Sequence, residues 1–273
     1  MIEPFEAAAL GIIQGIAEYL PVSSSGHLVI AQSLFGLREP ALFFDVTLHM
    51  GTLGAVLWFY RADLAGALGE FASGARGIFA GRGFGETLAA NAGFRLMFLI
   101  AVATVPTGVI GIVFKSEFES LFGSARLAGA MLIVTGVILL LTRFTSGGGR
   151  DISGMRWWEA ALIGVVQGLA IMPGISRSGS TISAALFLGI GRETAARFSF
   201  LMSIPSIVGA MALNLGPGDA GVPAASLAVG FFSALVVGYL CLALLVALVK
   251  RGFLSWFSFY CFFAGAVTLA FLS

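Results

Sequence analysis

A glutamine and a glutamate four residues apart, Gln14 and Glu18, are followed by Ser23, Ser24, Ser25 and His27, all within "GIIQGIAEYLPVSSSGHLVI" at 11–30. Far along the chain a second polar stretch, "PGISRSGST" at 173–181, carries Ser176, Arg177, Ser178 and Thr181. Residues at i and i+4 share one helix face, so Gln14 and Glu18 point together toward the serine turn. His27 follows Ser24 by three residues, within reach of a serine hydroxyl across one turn. A hydroxyl beside a base is the arrangement that makes a nucleophile. A guanidinium stays charged and offers a planar fork of donors suited to phosphate oxygens. Acid, hydroxyls and imidazole from one stretch, with a cation and hydroxyls from the other, are the parts for binding and cleaving a phosphate ester or anhydride.

The surroundings of these groups are membrane-like. Of 273 residues, 58% are hydrophobic and 11% charged, and the mean hydropathy is +0.99, outside the range of soluble globular domains. The sequence is that of an integral membrane protein. Net charge is +1 and the only lysines are Lys115 and Lys250, so no basic stripe exists to follow a nucleic-acid backbone, and nucleic acid is set aside as a partner. Cys241 and Cys261 both lie in apolar runs and read as small core residues. The N-terminal "MIEPFEAAALG" lacks a basic region and a small-residue cleavage site, so it is expected to insert uncleaved.

A membrane helix takes roughly 20 apolar residues. Six stretches qualify, at about 41–60, 92–114, 125–143, 193–214, 222–249 and 253–272. Four shorter runs, at about 5–19, 25–36, 157–171 and 179–190, form two pairs, each interrupted by a Pro/Ser/Gly segment. Runs this short suggest half-helices that enter the bilayer and turn back. The pairs also resemble each other, with "GIIQGIA" at 11–17 matching "GVVQGLA" at 164–170 and "SSSG" at 23–26 matching "SRSG" at 176–179. Three spans between the copies turn the second one over. The expected fold is therefore an all-α polytopic membrane protein of six transmembrane helices plus two pairs of broken re-entrant helices, arranged as an inverted-topology repeat. The chain reads as one membrane domain, 1–273, with repeat 1 at about 1–143 and repeat 2 at about 157–273.

Arginine and lysine favour cytoplasmic loops. The loop at about 61–95 with Arg61, Arg76, Arg82 and Arg95, the loop at 143–156 with Arg143, Arg150 and Arg156, and the Lys250–Arg251 pair are all expected on the cytoplasmic side. Both termini then lie outside, and the first broken pair enters from the outer face.

Each polar group also has an ordinary reading. Gln14 can serve a helix–helix hydrogen bond, and one or two of the serines can cap the helix that begins near His27. Glu18 and Arg177 resist such readings, because a charge within an apolar segment costs several kcal/mol, about 2.5–3.5 on insertion scales, and marks a functional cavity. His49, with Asp45 one turn earlier, either joins that cavity or packs.

The chain resembles the bacterial undecaprenyl pyrophosphate phosphatases associated with bacitracin resistance. The resemblance runs along essentially the whole chain and rests on the (E/Q)-x-x-x-E pattern at Gln14 and Glu18, "LPVSSSGH", "FDVTLHMGT" at 44–52, "PGISRSGST" at 173–181 and "ARFSFLMSIP" at 196–205. It implies hydrolysis of the C55 polyprenyl diphosphate to undecaprenyl phosphate and inorganic phosphate, in recycling of the cell-wall lipid carrier. It further implies a multi-pass protein of the bacterial cell (inner) membrane with an outward-facing site, a divalent-cation requirement (Mg2+ or Ca2+), a lipid substrate, and dimers in some members. Carried onto this sequence, the catalytic residues fall on Glu18, Ser24, His27 and Arg177, with Gln14, Ser23, Ser25, Ser176, Ser178 and Thr181 around the substrate and Glu18 as the metal ligand. The first acidic position is the neutral Gln14 here, which weakens any mechanism built on two chelating carboxylates. Two chemistries stay open. His27 takes the proton of Ser24, whose oxygen attacks phosphorus, or Glu18 and a metal activate water directly.

Two rival readings share some of these features. The lipid phosphatases with Lys-x6-Arg-Pro, PSGH and Ser-Arg-x5-His motifs are excluded by spacing, since Phe122 and Phe257 stand where Arg is needed and Ser183 where His is needed. A polyprenyl-phosphate transporter or flippase suits an inverted repeat, but a carrier has no use for a nucleophile, so the serine–histidine cluster favours the enzyme.

Overall fold

The structure, a computed structural model, describes residues 2–35, 42–122, 124–145, 149–214 and 222–271. It is helical, and the only β-type pairing among the described residues is a single bridge between Arg150 and Ile190. The helices are α1 (Pro4–Tyr19), α2 (Ser24–Leu34), α3 (Leu42–Phe59), α4 (Arg61–Phe79), α5 (Phe84–Ala90), α6 (Ala92–Val113), α7 (Lys115–Leu121), α8 (Ala125–Leu141), α9 (Trp157–Leu169), α10 (Arg177–Phe187), α11 (Arg192–Asn214), α12 (Ala224–Lys250) and α13 (Phe257–Phe271). Five described segments, Ala92–Val113, Ala125–Phe144, Arg192–Leu213, Ala224–Lys250 and Leu254–Phe271, are long and apolar enough to cross a membrane. The stretch expected at 41–60 is an apolar but shorter helix, Phe43–Phe59. Residues 215–221, between α11 and α12, lie outside the described residues.

Local chemistry sets the helix starts. α1 opens with Pro4 at its first position and a reciprocal cap in which Glu6 Oε2 accepts the Glu3 N–H at 2.9 Å. α9 opens the same way, Glu159 Oε2 accepting the Arg156 N–H at 2.6 Å. Arg150 then closes a two-pronged pair on Glu159, at 2.6 and 3.1 Å. α6 and α8 are capped by Asn91 and Ser124.

The stretch 61–95, expected as a cytoplasmic loop, carries the two helices α4 and α5 and the start of α6. Leu64, Ala67, Phe71 and Gly74 recur at helical spacing and lay one face of α4 on α6, where Phe71 stacks on Phe94 with centroids 5.3 Å apart. Glu70 Oε2 accepts the Gly93 N–H at 2.6 Å and ties the start of α6 to this hairpin.

Packing runs through glycine. α1 lies along α12, where a Cβ at Gly11 would stand 2.5 Å from Gly230 O and one at Gly15 would stand 2.8 Å from Gly238 N. α9 lies along α6 in the same manner, a Cβ at Gly164 falling 2.1 Å from Ala103 O. Apolar surface drives helices together weakly in lipid, so small residues that let backbones touch do this work instead. α3 also rests on α12, and α8 on α13. The large buried cluster, including Tyr19, Leu99, Ile163, Phe198, Phe200 and Leu245, surrounds the inner ends of the short helices.

Candidate active site

The two breaks meet. Between α1 and α2 the chain turns at Ser23, whose φ of 70° puts a non-glycine residue in the left-handed region. Between α9 and α10 the turn is made by Gly174, φ 92°. Gly174 N–H donates to Ser23 Oγ at 3.1 Å, and Ser178 Oγ donates to Tyr19 O at 3.0 Å. A Cβ on Gly26 would lie 3.1 Å from Gly174 Cα, so the backbones nearly touch. Ser176 caps α10 by accepting the Gly179 N–H at 3.1 Å. Thr135 of α8 donates to Gly174 O at 2.8 Å and accepts from Ser176 N–H at 3.0 Å. Backbone groups freed by the breaks therefore find partners within the protein, as lipid requires.

Glu18 lies at the centre of this junction with 6% of its surface exposed. Its Oε1 accepts from Arg177 Nη2 across the two halves. Its Oε2 accepts from Ser24 Oγ at 2.7 Å and from Gln14 Nε2 at 3.0 Å. The Gln14 amide nitrogen also donates to His49 Nδ1 at 2.9 Å, and that ring nitrogen stands 3.5 Å from Glu18 Oε2. An amide nitrogen only donates, so His49 Nδ1 accepts and both Gln14 N–H groups are committed. This leaves Gln14 Oε1 buried without a partner, and Arg177 Nη1 is in the same position. Such groups cost about 1–3 kcal/mol each and mark where a ligand completes the network.

The remaining sequence-derived residues divide. Ser24 and Arg177 converge on Glu18, with Gln14 and His49 beside them. His27 does not bond to Ser24, as its spacing suggested: Nδ1 donates to Ser23 O at 2.8 Å and Nε2 is 2.6 Å from the Tyr260 hydroxyl. The reason is geometric, since the ring folds back on the carbonyl four residues earlier while the Ser24 hydroxyl turns to Glu18. Ser25 Oγ is 3.4 Å from Ser23 Oγ. The Thr181 hydroxyl donates to Arg177 O at 2.8 Å and lies against Ser199 of α11, so Thr181, Ser176 and Ser178 are buried and bonded to other protein groups. Asp45 accepts from Gln32 Nε2 at 2.7 Å. Sequence reasoning missed Thr135 and Tyr260, which read as ordinary members of apolar helices and carry no signal of their own.

The second half has no equivalent centre. Gln167, the counterpart of Gln14, donates to Thr107 Oγ1 at 3.2 Å and Ser206 Oγ at 2.7 Å. Ile171 occupies the place of Glu18 in the repeat.

Among the described residues no three or more His, Cys, Asp or Glu side chains gather as a metal cage. The donor set next to the break is one carboxylate, Glu18, and the unpartnered oxygen of Gln14. That set fits a hard divalent ion whose other ligands are water and phosphate oxygens.

These features define an all-helical polytopic membrane protein in which two broken helix pairs share one buried hydroxyl–carboxylate–guanidinium centre. The chain belongs to the bacitracin resistance protein BacA family, whose model matches residues 7–267. It is 50% identical over 271 residues to the undecaprenyl-diphosphatase of Desulfosudis oleivorans, covering 98% of each chain. The protein of that name from Desulfatibacillum aliphaticivorans is 45% identical over 267 residues, 97% of each chain. The one from Methanobrevibacter smithii is 41% identical over 267 residues, 96% of this chain and 95% of its own.

Proposed function

We propose that this protein hydrolyses undecaprenyl diphosphate to undecaprenyl phosphate and inorganic phosphate, returning the lipid carrier to cell-wall synthesis and conferring bacitracin resistance. The observation that carries the reading is the Glu18 carboxylate, bonded at once by the Ser24 hydroxyl and by Arg177, in a chain whose full-length relatives bear the diphosphatase name.

In this reading Ser24 Oγ attacks the terminal phosphorus, its proton passes to Glu18 Oε2, and the bond from phosphorus to the bridging oxygen breaks. Polyprenyl monophosphate leaves with that proton returned from Glu18, and water then attacks the phosphoserine, giving its proton to Glu18, which passes it to Ser24 Oγ as inorganic phosphate departs. Arg177 offers its unpartnered Nη1 to the phosphate. The choice of Glu18 over His27 as base rests on the 2.7 Å bond and on the engagement of both His27 nitrogens. A divalent ion, Mg2+ or Ca2+, held through Glu18 and Gln14 oxygens would neutralise charge on the diphosphate.

The inverted repeat belongs to the same proposal. It is supported by the matching starts of α1 and α9, by α2 and α10 being 11 residues each, and by the exchange of partners that sets α1 on α12 and α9 on α6. With six crossings, the arginine-bearing segments face the cytoplasm and the site faces the outside of the cell membrane. Homodimers are part of the family picture and are proposed here on that basis. The comparisons lend the carrier reading no support. Purified protein in detergent should release inorganic phosphate from undecaprenyl diphosphate, and Ser24→Ala should not; absence of release by the parent protein overturns the proposal.

A further inference from the structure

His27 is gripped at both ring nitrogens. The Ser23 carbonyl oxygen can only accept, so Nδ1 carries a hydrogen and donates to it at 2.8 Å. In the neutral ring Nε2 then accepts from the Tyr260 hydroxyl at 2.6 Å, and the two rings stack with centroids 5.6 Å apart at 17°. Tyr260 belongs to α13, a helix that otherwise rests on α8. The next residue, Cys261, sets its thiol 3.5 Å from Pro21 O. Two adjacent residues of α13 thus reach the first break, one through His27 and one directly.

Between these contacts sits Ser23, the described non-glycine residue with a positive φ. A non-glycine residue so placed is strained and persists only where its surroundings hold it. Its hydroxyl accepts from Gly26 and Gly174, and its carbonyl accepts from both the backbone N–H and the ring of His27. The residue after it is Ser24, whose hydroxyl is delivered to Glu18.

We propose that Tyr260 is a positioning residue of the reaction centre: through His27 it holds the Ser23 backbone in the left-handed turn that presents the Ser24 hydroxyl to Glu18. The inference rests on the phosphoserine reading given above. Without the tyrosine hydroxyl the imidazole is free to leave the Ser23 carbonyl, and the nucleophile loses its placement. Substrate binding, which falls to Arg177, is left in place, so the cost is in turnover.

The test compares phosphate release from undecaprenyl diphosphate by the purified parent, Tyr260→Phe, His27→Asn and the double variant. Phenylalanine keeps the stacked ring. Asparagine places an amide nitrogen where Nδ1 stands, keeping the grip on Ser23 while removing the link to Tyr260. Tyr260→Phe should lower kcat roughly tenfold, the scale of one hydrogen bond, with KM within about twofold and the shape of the pH profile unchanged. His27→Asn should fall in the same range, and the double variant should lose no more than the weaker single, because the tyrosine acts only through the histidine. An unchanged kcat in Tyr260→Phe overturns the proposal, as do additive losses or a change confined to KM. So does a loss of several orders of magnitude in His27→Asn, which would make the imidazole a proton-transfer group. A parent protein that releases no phosphate points instead to failure of the activity assignment, a result none of the variant comparisons can mimic.

Discussion

Ser23 and Gly174, 151 positions apart in the chain, meet with the glycine N–H donating to the serine hydroxyl at 3.1 Å, and both residues are in the left-handed region. The contact joins the two broken helix pairs at the break in each. It places Glu18, from the first, against Arg177, from the second, so the charged centre depends on backbone that belongs to neither half alone.

The covalent route makes Ser24 indispensable. Ser24→Ala should lose several orders of magnitude in kcat, and the parent enzyme should yield a trappable phosphoserine. Retention of even a few per cent of the parent rate would show that water activated at Glu18 does the chemistry.

Arg177 commits one nitrogen to Glu18 and leaves Nη1 buried without a partner, the nitrogen proposed to meet the phosphate. Arg177→Lys preserves the charge and removes the fork, so kcat/KM should fall by about 2 kcal/mol or more, on the scale of charged hydrogen bonds. Turnover near that of the parent would show that the guanidinium only pairs Glu18.

Gln14→Glu replaces two amide donors with a second carboxylate beside Glu18, at a site with no exposed surface. Like charges so close need a cation between them. The variant should therefore bind the divalent ion more tightly, with the metal concentration for half-maximal activity lowered about tenfold if the pair gains roughly 1.4 kcal/mol of cation affinity. Identical metal titrations for variant and parent would remove Gln14 and Glu18 from the cation's surroundings.

Close helix packing gives a stability prediction. Gly164→Ala would put a methyl group 2.1 Å from Ala103 O, forcing α9 away from α6, and should cost about 1–3 kcal/mol. Gly108, on α6, has nothing within 4 Å of its would-be Cβ, so Gly108→Ala should be neutral or stabilise by up to about 1 kcal/mol. Thermal unfolding in detergent reads both, and equal Tm values for the two variants would contradict the packing.

Orientation can be checked with single cysteines in a background lacking Cys241 and Cys261. Ser120→Cys, on α7, should react with an impermeant thiol reagent added outside intact cells. Gly85→Cys, on α5 with open space around it, should not. The reverse pattern would turn the site toward the cytoplasm.

The parts of the site visible in the sequence were those whose physical cost is large. Glu18 and Arg177 stand out because charge is rare in apolar segments, and the spacing of Gln14 from Glu18 gives their common face directly. The near-repetition of "GIIQGIA" as "GVVQGLA" likewise foretells two helices that start, cap and pack alike. What could not be read was the rotation of side chains about the breaks. Spacing allowed His27 to face Ser24, whereas the carbonyl of Ser23 captured its ring. Tyr260 and Thr135 meet the breaks only through tertiary packing, and α4 hides among glycines and arginines because its apolar stripe is narrow and rests mainly on α6.

The exchange of partners between the halves bears on how the chain is made. α1 emerges from the ribosome long before α12, yet α12 is the surface that its glycines fit. α6 likewise waits for α9 and α8 for α13. An early stretch bearing Glu18 must therefore remain in the membrane without its groove or its counter-ion until translation is nearly complete. Nascent chains stalled before residue 224 should be held by insertion chaperones or degraded. The same dependence means that separately expressed halves, each unstable alone, should restore the enzyme when made together.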